Sequence, residues 1–257
     1  MSGYPSFGIS TKWAEDTLTP AEIGKKVQST LQQLEPIAPA MSNWVLRDGQ
    51  VGVSLSEASK RMTSVIEHSL EWKYPDGPDD PVYGYKALVT GSPTPSELMT
   101  PDTVHLSLTA GGRFENEFRF AIGDMAQPKA YDLITYPIYR GAMNALTSIW
   151  PCPWAIARVF DPNLPAFKRL SVFGGAWVAY LSAPLAAGLK PPPELVPEPT
   201  PGGGLILSST KERIDPANAE HMRRARLLEQ IMLDRVGLED PPRNRTPAWH
   251  NARSGPF

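Results

Sequence analysis

The apolar pattern of this chain predicts an α+β fold: a mixed or antiparallel sheet with helices packed on one side. Three observations carry that expectation. Stretches of period two and of helical period are interspersed along the chain, without the strict alternation of a parallel α/β fold. Strand-like runs adjoin across short turns, most clearly at Thr103–Ala110, Gly111-Gly112 and the run from Phe114 to Ile122. The 28 prolines, about twice the roughly 5% of ordinary proteins, fall in clusters between these runs and mark the connections.

Each element has its own signal. Tyr4–Trp13 reads as a strand. Thr19-Pro20-Ala21-Glu22 places a capping hydroxyl, a first-turn proline and a reach-back carboxylate in order. Ile23, Val27, Leu31 and Leu34 then recur at helical spacing, until Pro36 and Pro39 stop the helix. Asn43–Arg47 is a short strand before the Asp48-Gly49 turn. Ser54-Leu55-Ser56-Glu57 reads as a second capping box, with Ala58, Met62, Val65, Ile66 and Ser69 as its buried stripe.

Strands follow at Val82–Thr90 and Thr103–Ala110, where Val104, Leu106 and Leu108 alternate with polar residues. Phe114, Phe118, Phe120 and Ile122 continue the pattern. A helix from Pro137 carries Ile138, Ala142, Ala145, Leu146 and Ile149. Strands are expected at Trp154–Phe160, Gly175–Ser182 and Leu205–Ser208, with a short helix at Pro184–Leu189 and a linker over Lys190–Gly204. The last helix is expected to begin at Asp215-Pro216, with Met222, Ala225, Leu228, Ile231 and Met232 inward. Residues 1–236 then form one domain, which admits a division near 110–125 into two strand–helix–strand subdomains. Residues 237–257 form a polar, proline-rich tail.

Composition narrows the function. Apolar residues make up 41% of the chain, enough for a sizeable core. A net charge of −2 argues against a general nucleic-acid binder, which would be clearly basic. A single cysteine, Cys152, excludes an internal disulfide framework and cysteine-rich zinc sites. The chain shows no signal-length apolar start and no stretch of the roughly 18 apolar residues that suits a membrane helix. A cytoplasmic protein is expected.

A search for chemistry finds little. No phosphate-binding glycine loop precedes a helix, and Gly-x-Ser-x-Gly is absent. His68, His105, His221 and His250 are scattered singly and read as surface or structural residues. Cys152 lies in Trp150-Pro151-Cys152-Pro153-Trp154, an apolar corner where a thiol acts as a small hydrophobe. No catalytic, cofactor-binding or metal-binding residue is assigned.

Charge distribution says more. Residues 71–124 hold 9 acidic and 4 basic side chains, whereas 125–257 hold 11 acidic and 15 basic. The middle is an acidic island containing Asp76, Asp79, Asp80, Glu115 and Glu117, with Tyr83 and Tyr85 nearby. Carboxylates interleaved with tyrosines suit capture of a basic partner. An ordinary solvated loop with structural tyrosines is the competing explanation. Glu115 and Glu117 also share one side of a strand, where paired carboxylates could do acid–base work.

The C-terminal half carries a family resemblance. Trp177-Val178-Ala179-Tyr180-Leu181-Ser182 leads through a proline-rich stretch to Gly203-Gly204-Leu205-Ile206-Leu207. Asp215-Pro216 follows, with Asn218, His221, Arg223, Arg224 and Ala225. This order of motifs, over about residues 100–235, resembles the immunity protein 52 family. The resemblance implies a protein that binds a polymorphic toxin, commonly a nuclease of restriction-endonuclease type, some of them delivered by type VI secretion. It implies a toxin partner, no direct nucleic-acid or membrane contact, and no cofactor. Asp76, Asp79, Asp80, Tyr83, Tyr85, Glu115 and Glu117 are the candidate toxin-binding residues, acting by steric blocking helped by local acidity or by mimicry of DNA phosphates. An effector-loading adaptor and an unrecognised hydrolase are the rival functions.

Overall fold

The computed structural model describes residues 6–14, 17–49, 51–69, 84–92, 104–112, 116–122, 132–160 and 173–237. Ten strands form one sheet: β1 (Ser6–Trp13), β2 (Val45–Asp48), β3 (Val51–Ser54), β4 (Tyr85–Gly91), β5 (Val104–Ala110), β6 (Asn116–Ile122), β7 (Trp154–Phe160), β8 (Ala176–Leu181), β9 (Val196–Pro199) and β10 (Leu205–Ser208). Their spatial order is β3-β2-β4-β5-β6-β1-β7-β8-β10-β9. Every pairing among the described residues is antiparallel, which fixes the sheet as antiparallel rather than mixed. The helices are α1 (Pro20–Leu34), α2 (Leu55–Ala58), α3 (Met62–Glu67), α4 (Tyr136–Ile149), α5 (Ala183–Ala186) and α6 (Ala219–Val236).

Local chemistry explains most boundaries. The hydroxyl of Thr19 accepts from the Glu22 amide, and the Glu22 carboxylate accepts from the Thr19 amide, so the predicted capping box closes. At Ser54 only the forward half forms, from the Glu57 amide to the Ser54 hydroxyl. There the expected single helix is broken into α2, a 3₁₀ turn over Ser59–Arg61, and α3. Its stripe still buries Ala58, Met62, Val65 and Ile66.

Two expectations are corrected in the C-terminal half. Lys190–Gly204 contains β9, an edge strand paired to β10. Pro197 and Pro199 lack amide donors, and an edge strand tolerates that because one side of its backbone needs no partner. The last helix starts at Ala219, where the Asn218 side chain accepts from the amides of Glu220 and His221. Asp215 instead closes a turn by accepting from the Ala217 amide. Both residues are cap formers three positions apart, and the proline drew the expectation to the earlier one.

The α+β class is as expected, and the placement of helices follows the strand patterns. Helices α1, α3 and α4 cover one face along the sheet, burying Ile23, Leu31, Tyr139, Met143 and Leu146 against Phe7, Ile9, Phe118 and Phe120. β5 and β6 alternate buried and half-exposed residues, the signature of a sheet with one covered face. β8 reads AWVAYL and is buried almost throughout. Its Ala179 and Leu181 pack with Trp154, Ile156 and Leu207 against Leu228 and Met232 of α6, on the face opposite α4. The sheet is therefore sandwiched at its β8–β10 end and covered on one side from β2 to β1.

A polar latch fastens the β9 edge. The Tyr136 hydroxyl donates to Glu198 Oε1 at 2.5 Å, Arg140 Nε donates to Glu198 Oε2 at 3.0 Å, and Ser208 Oγ donates to the Tyr136 oxygen at 3.2 Å. Tyr136 and then Arg140 hold the Glu198 carboxyl below the usual range, while burial raises the Tyr136 hydroxyl to about 12. A depressed carboxyl contributes stability above its unfolded pKa, near 4.3, and loses it as pH falls through the folded value. Glu198→Gln is expected to cost about 1 kcal/mol at pH 7 and to flatten the acid limb of the stability–pH curve. Parallel acid limbs for the two proteins would show that the latch contributes nothing.

Candidate functional site

On the half of the sheet without α6, one face carries outward side chains from six strands. Cross-strand register sorts them into rows. One row runs Thr90, His105, Ala121, Gly8 and Arg158 across β4, β5, β6, β1 and β7. The next runs Leu88, Ser107, Arg119 and Ser10. A third runs Lys86, Thr109, Glu117 and Lys12. Arg47 and Val45 extend the surface onto β2.

Small residues at the centre make this face concave. A groove of about 460 Å³ lies between Arg47 and Arg119, with Leu88, Ser107, Ala121 and His105 in its floor and walls. Arg47 and Arg119 are three strands apart, about 14 Å at roughly 4.8 Å per strand. Arg119 Nη2 lies 3.0 Å from Glu117 Oε2, and its side chain stays 66% exposed. Burial, and then the Arg119 charge, lower the pKa of Arg158. Among the described residues, Arg47, Lys86, Arg119, Arg158 and Lys12 share this face with the carboxylate of Glu117.

The predicted candidates are divided by this geometry. Asp76, Asp79, Asp80, Tyr83 and Glu115 lie outside the described residues. Glu117 is on the open face. Tyr85 is on the helix-covered face, paired with Ala110 and packed against the core. The two described candidates are therefore on opposite sides of the sheet. Sequence reasoning missed Arg47, Arg119 and Arg158, although strand alternation put Arg119 opposite in phase to Phe118 and Phe120.

Other titratable groups serve the fold. Burial pushes the Cys152 thiol up to about 12, in keeping with an inert apolar corner. His221 is buried and its Nδ1 accepts from the Asp215 amide at 3.1 Å, tying the α6 approach to the helix. His68 Nδ1 lies 3.2 Å from Asp48 Oδ1 beside α3. No cluster of three potential metal ligands occurs among the described residues. Nor is any helix among them long and apolar enough to cross a membrane.

No family model matches the chain, and no curated protein matches it. Among solved structures, the chain is similar to the Pseudomonas aeruginosa T6SS protein PA0821. The match has a TM-score of 0.54 at 10% identity, over 93% of this chain and 74% of that one. At such low identity the two share a fold.

Proposed function

We propose that this chain is an immunity protein that binds a cognate nuclease toxin of a type VI or related polymorphic system and blocks its DNA-binding or active-site surface. The observation that carries the reading is the open sheet face. It is broad, rigidly held by six paired strands, and populated by charged and small polar side chains around a shallow groove. Such a face suits capture of a macromolecule, since β-strands fix side chains without the entropic cost of ordering a loop. The motif order over residues 100–235 and the fold shared with a T6SS protein support the same reading. In this role the chain acts in the cytoplasm of the producing cell, without catalysis or a cofactor.

The acidic segment keeps a part in this proposal. Asp76, Asp79 and Asp80 can steer a basic toxin surface during encounter, because long-range charge acts mainly on the association rate. Reversing all three to lysine is expected to slow association several-fold at low salt. Unchanged kinetics at low salt would remove that segment from the interface.

Co-expression tests the function itself. Cells making the bare nuclease domain of the cognate toxin should grow when the chain is also made, and their DNA should stay intact. An effector-loading adaptor would bind the same protein yet leave the cells dying, with only export affected. Death despite abundant folded chain would overturn the immunity reading.

A further inference from the structure

We propose that the groove on the open sheet face is the toxin-docking site and that its occupant is an acidic segment of the toxin. The inference rests on the immunity reading and adds the surface and the chemistry of the partner. Arg47 and Arg119 stand at opposite ends of the groove, with Leu88 and Ser107 on the floor between them. Two guanidiniums about 14 Å apart match carboxylates four residues apart on an extended strand, at roughly 3.4 Å per residue. Each can take a carboxylate in a two-pronged hydrogen bond.

Like charge close to Arg119 favours such an occupant. Arg119 and Arg158 lie near enough for repulsion, and Glu117 alone of the described carboxylates stands among them. An incoming carboxylate at Arg119 offsets that repulsion at its end of the groove. The floor distinguishes a peptide from a nucleic acid. Leu88, Val45 and Ala121 offer apolar contact to side chains, and the groove lining holds His105 but no phenylalanine, tyrosine or tryptophan platform of the kind that binds successive bases.

The test measures binding of the purified full chain to the cognate nuclease domain that it protects against in co-expression, for wild type, Arg47→Glu, Arg119→Glu and the double variant. Arg47→Gln with Arg119→Gln removes the charges without adding acidic ones, in case reversal disturbs the sheet. Circular dichroism and the unfolding midpoint check that each variant is folded. Wild type should bind. The double reversal should weaken binding at least tenfold, the glutamine pair less, and both effects should shrink in high salt. A lysine placed at the matching toxin carboxylate should recover binding to the reversed chain.

A twelve-residue oligothymidylate is the second probe. Oligonucleotide binding that needs Arg47 and Arg119, with toxin binding unchanged, would assign the groove to nucleic acid and overturn the proposal. Toxin binding by the folded double variant within twofold of wild type would overturn it alone, leaving the immunity reading intact. Failure of the wild-type chain to bind the toxin would sink that reading and this inference with it.

Discussion

Trp177→Ala should destabilise the protein by about 3–5 kcal/mol, the range for emptying a buried tryptophan site. The ring is fully buried on β8. It meets Phe7 edge-on with centroids 6.0 Å apart, and Tyr139 at 5.2 Å. Its Nε1 donates to the carbonyls of Thr210 and Glu212, at 3.2 and 3.0 Å. Those carbonyls belong to the connection between β10 and α6. One side chain therefore joins β1, α4, β8 and the approach to α6.

Trp177→Phe separates the two contributions. It keeps most of the packing and orphans the two carbonyls, so about 1–2 kcal/mol should be lost. Trp44 supplies the internal contrast. Its ring is also buried, against Gly91, but its Nε1 has no hydrogen-bond partner among the described residues. Trp44→Phe removes a buried unsatisfied donor and should cost clearly less than Trp177→Phe. Denaturant midpoints at constant slope measure both. Equal losses from the two phenylalanine substitutions would refute the role given to the Trp177 hydrogen bonds.

These two tryptophans show how far the sequence could be read. Trp177 lies in a continuous apolar run that announces a strand buried on both faces, and Trp154–Phe160 emerges with the predicted bounds. Local signals with one physical meaning, such as the Thr19 capping box or the alternation in β5, survive into the structure. β9 was hidden because prolines are poor strand formers except at an edge, and edge position is a property of the sheet. The charge sum over 71–124 mixes two faces and several connections. Eight of its nine carboxylates lie outside the described residues. Arg119 and Lys86 of the same segment join Arg47 and Arg158 on a cationic face only through strand register. That juxtaposition depends on partners 30 to 110 positions away, which periodicity within a segment cannot supply.

Asn116→Asp should cost about 3 kcal/mol or more near neutral pH, through the burial of a charge beside carbonyl oxygens. Asn116 is fully buried at the start of β6. Its Oδ1 accepts from the Gly112 amide at 2.9 Å, while Nδ2 donates to the carbonyls of Ala14, at 2.8 Å, and Gly112, at 3.2 Å. The amide thus ties the β5–β6 connection to the end of β1. A carboxylate keeps the acceptor and loses both donors, and its second oxygen faces those carbonyls. Burial and the carbonyls favour the protonated acid, so its folded pKa rises above the unfolded value near 3.9. A raised pKa means the stability is held below the unfolded value and lost as pH climbs through the folded one. The deficit against wild type should therefore be small near pH 4, where the acid can still donate one hydrogen bond, and widen toward pH 7. Asn116→Leu leaves the same groups unpaired with no proton to exchange, so its deficit should not track pH in this way. An Asp deficit as flat as the Leu deficit would mean that the amide donors do not hold these carbonyls. Because Asn116 anchors the strand that carries Glu117 and Arg119, the Asp variant should also weaken toxin capture more at pH 7 than at pH 5, following its stability rather than the charge of the groove.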